Sequence, residues 1–244
     1  MNKHRVKRVA LLIGVVGLLL AGAFGLSVRS YRRQEALNRR LITALMKQDP
    51  QQALALVNAG ADPNTPFKPP SPPSLTQLWN LVLHLTEMPG SDNPNAFQLA
   101  CGAPVYHHNV TTHLGMSTDE PHLVEKMLQH GAQKNAKYGD GWTPFLSSVL
   151  SAHPQTLAVL IKQGVDVNAQ NTYGETALFW VAWNSFPTPN PSERSKSVDI
   201  VRQLLAQGAD QNLTSLLGIT PLQAAQRKHR LDLVALLRKA GAKK

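Results

Sequence analysis

At 244 residues the chain has room for one ordinary domain and a segment or two, and its 43% hydrophobic content suits a packed core. One cysteine, Cys101, excludes an internal disulfide and a metal-binding cysteine pair. The net charge of +10 is localised: residues 1–40 hold nine Lys and Arg against Glu35 alone, a net +8, and the remainder carries +2, so no basic face for DNA or RNA is implied.

Residues 1–8 are a basic tail, and Val9–Val28 is twenty uncharged residues boxed by Arg8 and Arg29. As a helix this stretch is about 30 Å long, the thickness of a bilayer's hydrocarbon core. Two readings stay open. One is a retained single-pass transmembrane helix or signal anchor. The other is a secretory signal cut after Ala21-Gly22-Ala23, which releases a soluble periplasmic or secreted form. The apolar run continues past that site, which favours the anchor. A short basic tail before a first apolar helix places the C-terminal domain on the extracytoplasmic side, whereas Arg29, Arg32, Arg33, Arg39 and Arg40 pull the other way. Gly17, Ala21 and Gly25 form a small-residue stripe suited to pairing two such helices in a homodimer.

Residues 29–48 keep a helical pattern and lead into a divergent capping unit, in which Asp49-Pro50 starts a helix with Ala53, Leu56 and Val57 inward before Gly60. Over 65–104, Pro66, Pro69, Pro70, Pro72 and Pro73 make a helix-hostile loop. Ser74 with Gln77 then reads as a capping box for a helix carrying Leu75, Leu78, Val82 and Leu85 on one face. From Gly60 to Gly131 is 71 residues, two periods plus five, read as one degraded repeat over 65–104 carrying the proline loop, followed by a further repeat over 105–136.

The best-formed unit is Asp140 to Asn168. Gly141 suits a tight turn, Thr143 caps a helix with Pro144 at its first position, His153-Pro154 starts a second helix, and Gly164 ends it. Leu157, Leu160 and Ile161 share a face, and Leu128, Leu160 and Leu204 are expected to be inaccessible. The opening recurs as Gly174-Glu175-Thr176-Ala177-Leu178, 33 residues on, and as Gly218-Ile219-Thr220-Pro221-Leu222, 44 further on. The closing element recurs as Gly60-Ala61-Asp62-Pro63-Asn64, Gly131-Ala132-Gln133-Lys134-Asn135 and Gly208-Ala209-Asp210-Gln211-Asn212. The 44-residue spacing places an insertion at 186–196, between the two helices of its repeat.

This pattern resembles the ankyrin repeat, in a bacterial-type, membrane-anchored form, over roughly residues 37–244. The resemblance implies an all-α solenoid of helix-turn-helix units with β-turn fingers over 49–244, and a non-catalytic protein-binding module serving as scaffold or regulator. It also implies a binding surface on the turn tips and first helices, at Tyr138, Asp140, Trp142, Tyr173, Glu175, Trp183, Asn184, Leu217 and Ile219. Trp142, Tyr173 and Trp183 are the aromatic anchors on this reading. Alternatively Trp142 packs on the neighbouring turn and Trp183 tucks under the proline insertion. Tyr138, Trp142, Tyr173 and Ile219 are expected to line one exposed apolar edge.

No Gly-rich phosphate loop or Gly-x-Ser-x-Gly elbow is present, and no cofactor is implied. The remote enzymatic alternative is a metal-dependent hydrolase built on His107, His108 and His113, with His122 and His130 in the same stretch. Their spacing matches no helical metal motif.

Overall fold

The computed structural model describes residues 26–67, 94–103, 105–107, 110–112, 116–184 and 191–243, without the side chains of 105–107, 110–112, 184 and 191–193. Helices come in pairs. Unit 1 is α1 (26–46) with α2 (Pro50–Asn58), and unit 2 is α3 (Ala96–Ala100) with α4 (Pro121–Gln129). Unit 3 is α5 (Pro144–Leu150) with α6 (Pro154–Lys162), unit 4 is α7 (Ala177–Asn184) with α8 (Pro191–Ala206), and unit 5 is α9 (Pro221–Arg227) with α10 (Leu231–Lys239).

Local chemistry starts these helices. The hydroxyls of Thr143, Thr176 and Thr220 each accept a backbone N–H three residues on, at 3.2 Å. Asn95 does the same for α3, and Gln98 reaches back to complete a capping box. Proline fills the first position of α2, α4, α5, α6 and α9, where no N–H is needed.

Each second helix ends on a glycine with positive φ, at Gly60, Gly131, Gly164, Gly208 and Gly241. The asparagine that follows then ties one unit to the next. Asn64 Oδ1 accepts from Gln133 N (2.8 Å) while its Nδ2 donates to the Gly131 carbonyl (2.9 Å). Asn168 and Asn212 take Asp210 N and Lys243 N in the same manner. At the N-terminal end Asn38 of α1 takes Asp62 N at 2.9 Å, so a helix supplies the acceptor that a preceding unit would give.

α1 is therefore more than a linker. Leu41, Ala44 and Leu45 are fully buried in the core shared with α2. Among the described residues no helix is long and apolar enough to cross a membrane. This corrects the single-pass membrane localisation and the extracytoplasmic placement read from the sequence: α1 carries Arg29, Arg32, Arg33, Glu35, Arg39 and Arg40, charges a bilayer interior excludes. Val9–Val28, with Gly17, Ala21 and Gly25, lies outside the described residues except for its last three.

Unit 2 explains the 71-residue gap. In units 3 to 5 a short backbone hairpin, the finger, precedes the first helix: Tyr138 N and Trp142 N each bond the other's carbonyl at 3.0 Å, and Asn171 N bonds Glu175 O as Ser215 N bonds Ile219 O. Three residues after Asn64 stands Phe67, as Tyr138 stands after Asn135, and Phe67 N donates to Pro94 O at 2.9 Å. Ala96 N closes the other side onto Thr65 O at 2.8 Å. The chain thus leaves this finger at Phe67 and rejoins it at Pro94, and the helix expected from Ser74 falls between them, outside the described residues. A second insertion separates α3 from α4. It contains the antiparallel strands β1 (Val105–His107) and β2 (Val110–Thr112), paired Val105 to Thr112 and His107 to Val110. The repeats themselves are helical, as the all-α expectation has it, and this short hairpin lies in the insertion within unit 2. In unit 4, residues 191–196 belong to α8 rather than to a loop, lengthening it to 16 residues.

Gly102 accordingly ends a first helix, where Ala152 and His229 stand in units 3 and 5, all with positive φ. A Cβ on Gly102 would collide with Ser151 Oγ, which donates to the Gly102 carbonyl at 2.7 Å. Gly102→Ala is expected to cost about 2 kcal/mol, from left-handed strain and overpacking together. Urea melts of the two proteins measure it; a loss under about 0.5 kcal/mol contradicts the account.

Candidate interaction surface

The fingers of units 3 to 5 each have a base and a tip, and the two differ in exposure. Base residues turn onto the first helices; tip residues face water. Tyr138 (3% exposed) and Trp142 (2%) are base residues, as is the buried Ile219. The Tyr138 hydroxyl lies 3.4 Å from Ser147 Oγ on α5. The Trp142 ring centroid is 5.0 Å from that of Trp180 on α7, tilted by 53°. Tyr138, Trp142 and Ile219 do not line an exposed edge: backbone pairing across the finger base fixes their side chains toward the core. Trp142 packs toward the neighbouring unit.

The tips behave as expected of a recognition surface. Asp140 and Tyr173 are exposed, Tyr173 by half, and Leu217 is 84% exposed. Backbone bonds hold successive tips in line: Thr172 N donates to Asp140 O at 2.9 Å and Leu216 N to Tyr173 O at 2.8 Å. The Tyr173 hydroxyl also hydrogen-bonds the Asp140 carboxylate, and that bond, then the Asp140 charge, pushes the phenol's pKa up. Leu216, 75% exposed, was missed from the sequence. Its signal was the apolar pair Leu216-Leu217 ahead of Gly218, where the other tips read Gly139-Asp140 and Thr172-Tyr173.

Glu175 is an organiser rather than a free tip. Its carboxylate accepts Asn171 Nδ2 at 2.8 Å, while Asn171 Oδ1 takes the N–H groups of Tyr173 and Glu175 at 3.0 Å each. Trp183, half-buried near the end of α7, stacks on Phe179 with centroids 5.9 Å apart, and Lys228 Nζ sits 4.6 Å above its ring. Lys228 was not foreseen. Asn184 ends α7, and its side chain lies outside the described residues.

Catalytic chemistry finds little support here. The Cys101 thiol is fully buried, and burial first, then the Asp119 charge, pushes its pKa far up and leaves no thiolate to react. Among the described residues no group of three His, Cys, Asp or Glu side chains could hold a metal ion. His108 and His113 lie outside those residues, as does the His107 side chain.

Comparison with known proteins agrees with this geometry. A family model described as ankyrin repeats in many copies matches residues 149–188. The mouse (Mus musculus) B-cell lymphoma 3 protein homolog is 23% identical over 235 residues, covering 93% of this chain and 47% of that protein. An ankyrin repeat-containing protein of Schizosaccharomyces pombe is 33% identical over 66 residues, 27% of this chain and 32% of its own length. The ankyrin repeat, SAM and basic leucine zipper domain-containing protein 1 of Microcebus murinus is 32% identical over 134 residues, 55% of this chain and 26% of its own. The chain thus spans about half the length of the first of these relatives and less of the others. Paired helices, finger hairpins joined tip to tip and the asparagine ties between closing turns all fit the family model's match: the chain carries ankyrin repeats.

Proposed function

We propose that the chain is a non-catalytic protein-binding module, a scaffold or regulator, that engages its partner through the fingertips of units 3 to 5. The observation that carries this reading is the row Asp140, Tyr173, Leu216 and Leu217, exposed side chains on a backbone held rigid by tip-to-tip hydrogen bonds. Apolar and aromatic groups fixed in solvent lose little entropy on binding and gain desolvation energy, the usual chemistry of an interface anchor. Trp183 under Lys228 extends the surface onto the first helices. The partner suited to this row is a protein with an apolar patch beside a basic group that meets Asp140.

A photo-crosslinking residue placed singly at Tyr173 and at Leu217, with exposed His229 as the control position, tests the surface. Crosslinks to one protein species from both tip positions and none from the control are the expected result. Crosslinks from the control alone move the surface to the inter-helix turns.

A further inference from the structure

The turn between α5 and α6 buries a histidine. His153 is 2% exposed, and neither its Nδ1 nor its Nε2 has a hydrogen-bond partner. Thr156 Oγ1, three residues on, is buried and unpartnered as well. Leaving buried polar atoms unpaired destabilises a fold, so stability alone does not account for an imidazole here. The backbone around the ring is fully engaged, with His153 N on Ser148 O and Leu157 N on His153 O, both at 2.9 Å.

The ring stands at a boundary between units. Asp119, in the segment leading to α4 of unit 2, accepts Gln155 N at 2.7 Å and Thr156 N at 2.9 Å, so its carboxylate clamps unit 2 onto the start of α6. On the other side the His153 Cε1 lies 3.0 Å from where a Gly102 Cβ would stand, directly after α3. The charged groups acting on the ring are Asp119 and Glu120 ahead of α4 and Lys196 on α8. Burial holds the imidazole below the usual histidine range. Asp119, the Ser117 backbone and Glu120 oppose that shift, while Lys196 adds to it. The Ser117 backbone faces the ring without reaching hydrogen-bond geometry to either nitrogen.

We propose that His153 is a proton-operated latch between units 2 and 3: neutral, it packs against Gly102 and lets Asp119 hold α6; protonated, it opens that boundary. The direction of the pH effect follows from linkage. An imidazole harder to protonate in the folded chain takes up its proton on unfolding, so the boundary has its full stability above about pH 6.5 and loses it as the pH falls through that value. With an unfolded-state histidine near pH 6.5, the loss between pH 7.5 and 5.5 reaches up to about tenfold in the opening equilibrium. Carboxylates titrate mostly below this window.

Hydrogen exchange on the full chain at the two pH values, corrected for intrinsic rates, reads it. Amides of α4 and α6 are expected to lose up to about tenfold in protection at pH 5.5 in the natural chain, while His153→Leu, which keeps the bulk and removes the proton site, loses none. An equal loss in both proteins, or protection that rises at pH 5.5, overturns the latch. Should His153→Leu fail to fold, the ring carbon and nitrogen shifts of the natural chain decide. A His153 mostly neutral at pH 6.5 is expected, and one more than half protonated there overturns the proposal.

Discussion

Trp142→Ala is expected to cost about 3–5 kcal/mol of folding stability, the range for removing a buried aromatic. The sequence invites a different outcome, since Trp142 flanks Gly141 at a position that resembles a binding tip. Its place at the finger base decides otherwise. With 2% of its surface exposed and its ring against Trp180, the side chain links unit 3 to unit 4. Truncation leaves a cavity at that junction and removes an aromatic pair, and α7 cannot collapse into the space while Thr176 and the finger hold its start. Denaturant melts followed by circular dichroism measure the loss. A cost under about 1 kcal/mol, with weakened partner capture, returns Trp142 to the recognition surface.

Leu160→Ala is expected to cost about 2–5 kcal/mol. Leu160 is fully buried on α6, which packs between α4 and α8. Stability in a stack is a sum of unit and nearest-neighbour contributions, so one cavity in the central unit weakens two boundaries at once. Leu128→Ala is the comparison. Leu128 was expected to be inaccessible but is only partly buried at the rim of the core, so its truncation is expected to cost less than half as much as Leu160→Ala. Equal losses at both positions contradict this burial pattern.

What the sequence disclosed follows the range of the forces involved. Thr143, Thr220, Pro144 and the glycines ending second helices act within three or four residues, and the helix boundaries read from them agree with the structure. Unit 2 was misread because two insertions hide its period. Between those insertions the capping box of Asn95 and Gln98 starts a first helix that Gly102 ends. The exposure of Tyr173 and the burial of Trp142 were indistinguishable from composition. Both are aromatic and both adjoin a turn glycine, but one sits at a tip and the other at a base opposite Trp180, a partner fixed only by stacking. Asp140 and Leu217 kept their expected exposure because a three-residue tip has nowhere to bury them.

The finger of unit 2 carries one more implication. Phe67 N and Pro94 O are bonded at 2.9 Å, and Ala96 N to Thr65 O at 2.8 Å, so the chain departs and returns through a closed gate of fixed width. Lengthening the chain between those two points costs the stack little, because loop-closure entropy grows only logarithmically with length, about 0.6 kcal/mol for each doubling. Evolution can lengthen, shorten or exchange that cargo at almost constant fold stability. The unit then works as a permissive docking port in the genetic sense, where a foreign domain with adjacent termini could be spliced in while the neighbouring repeats keep their register.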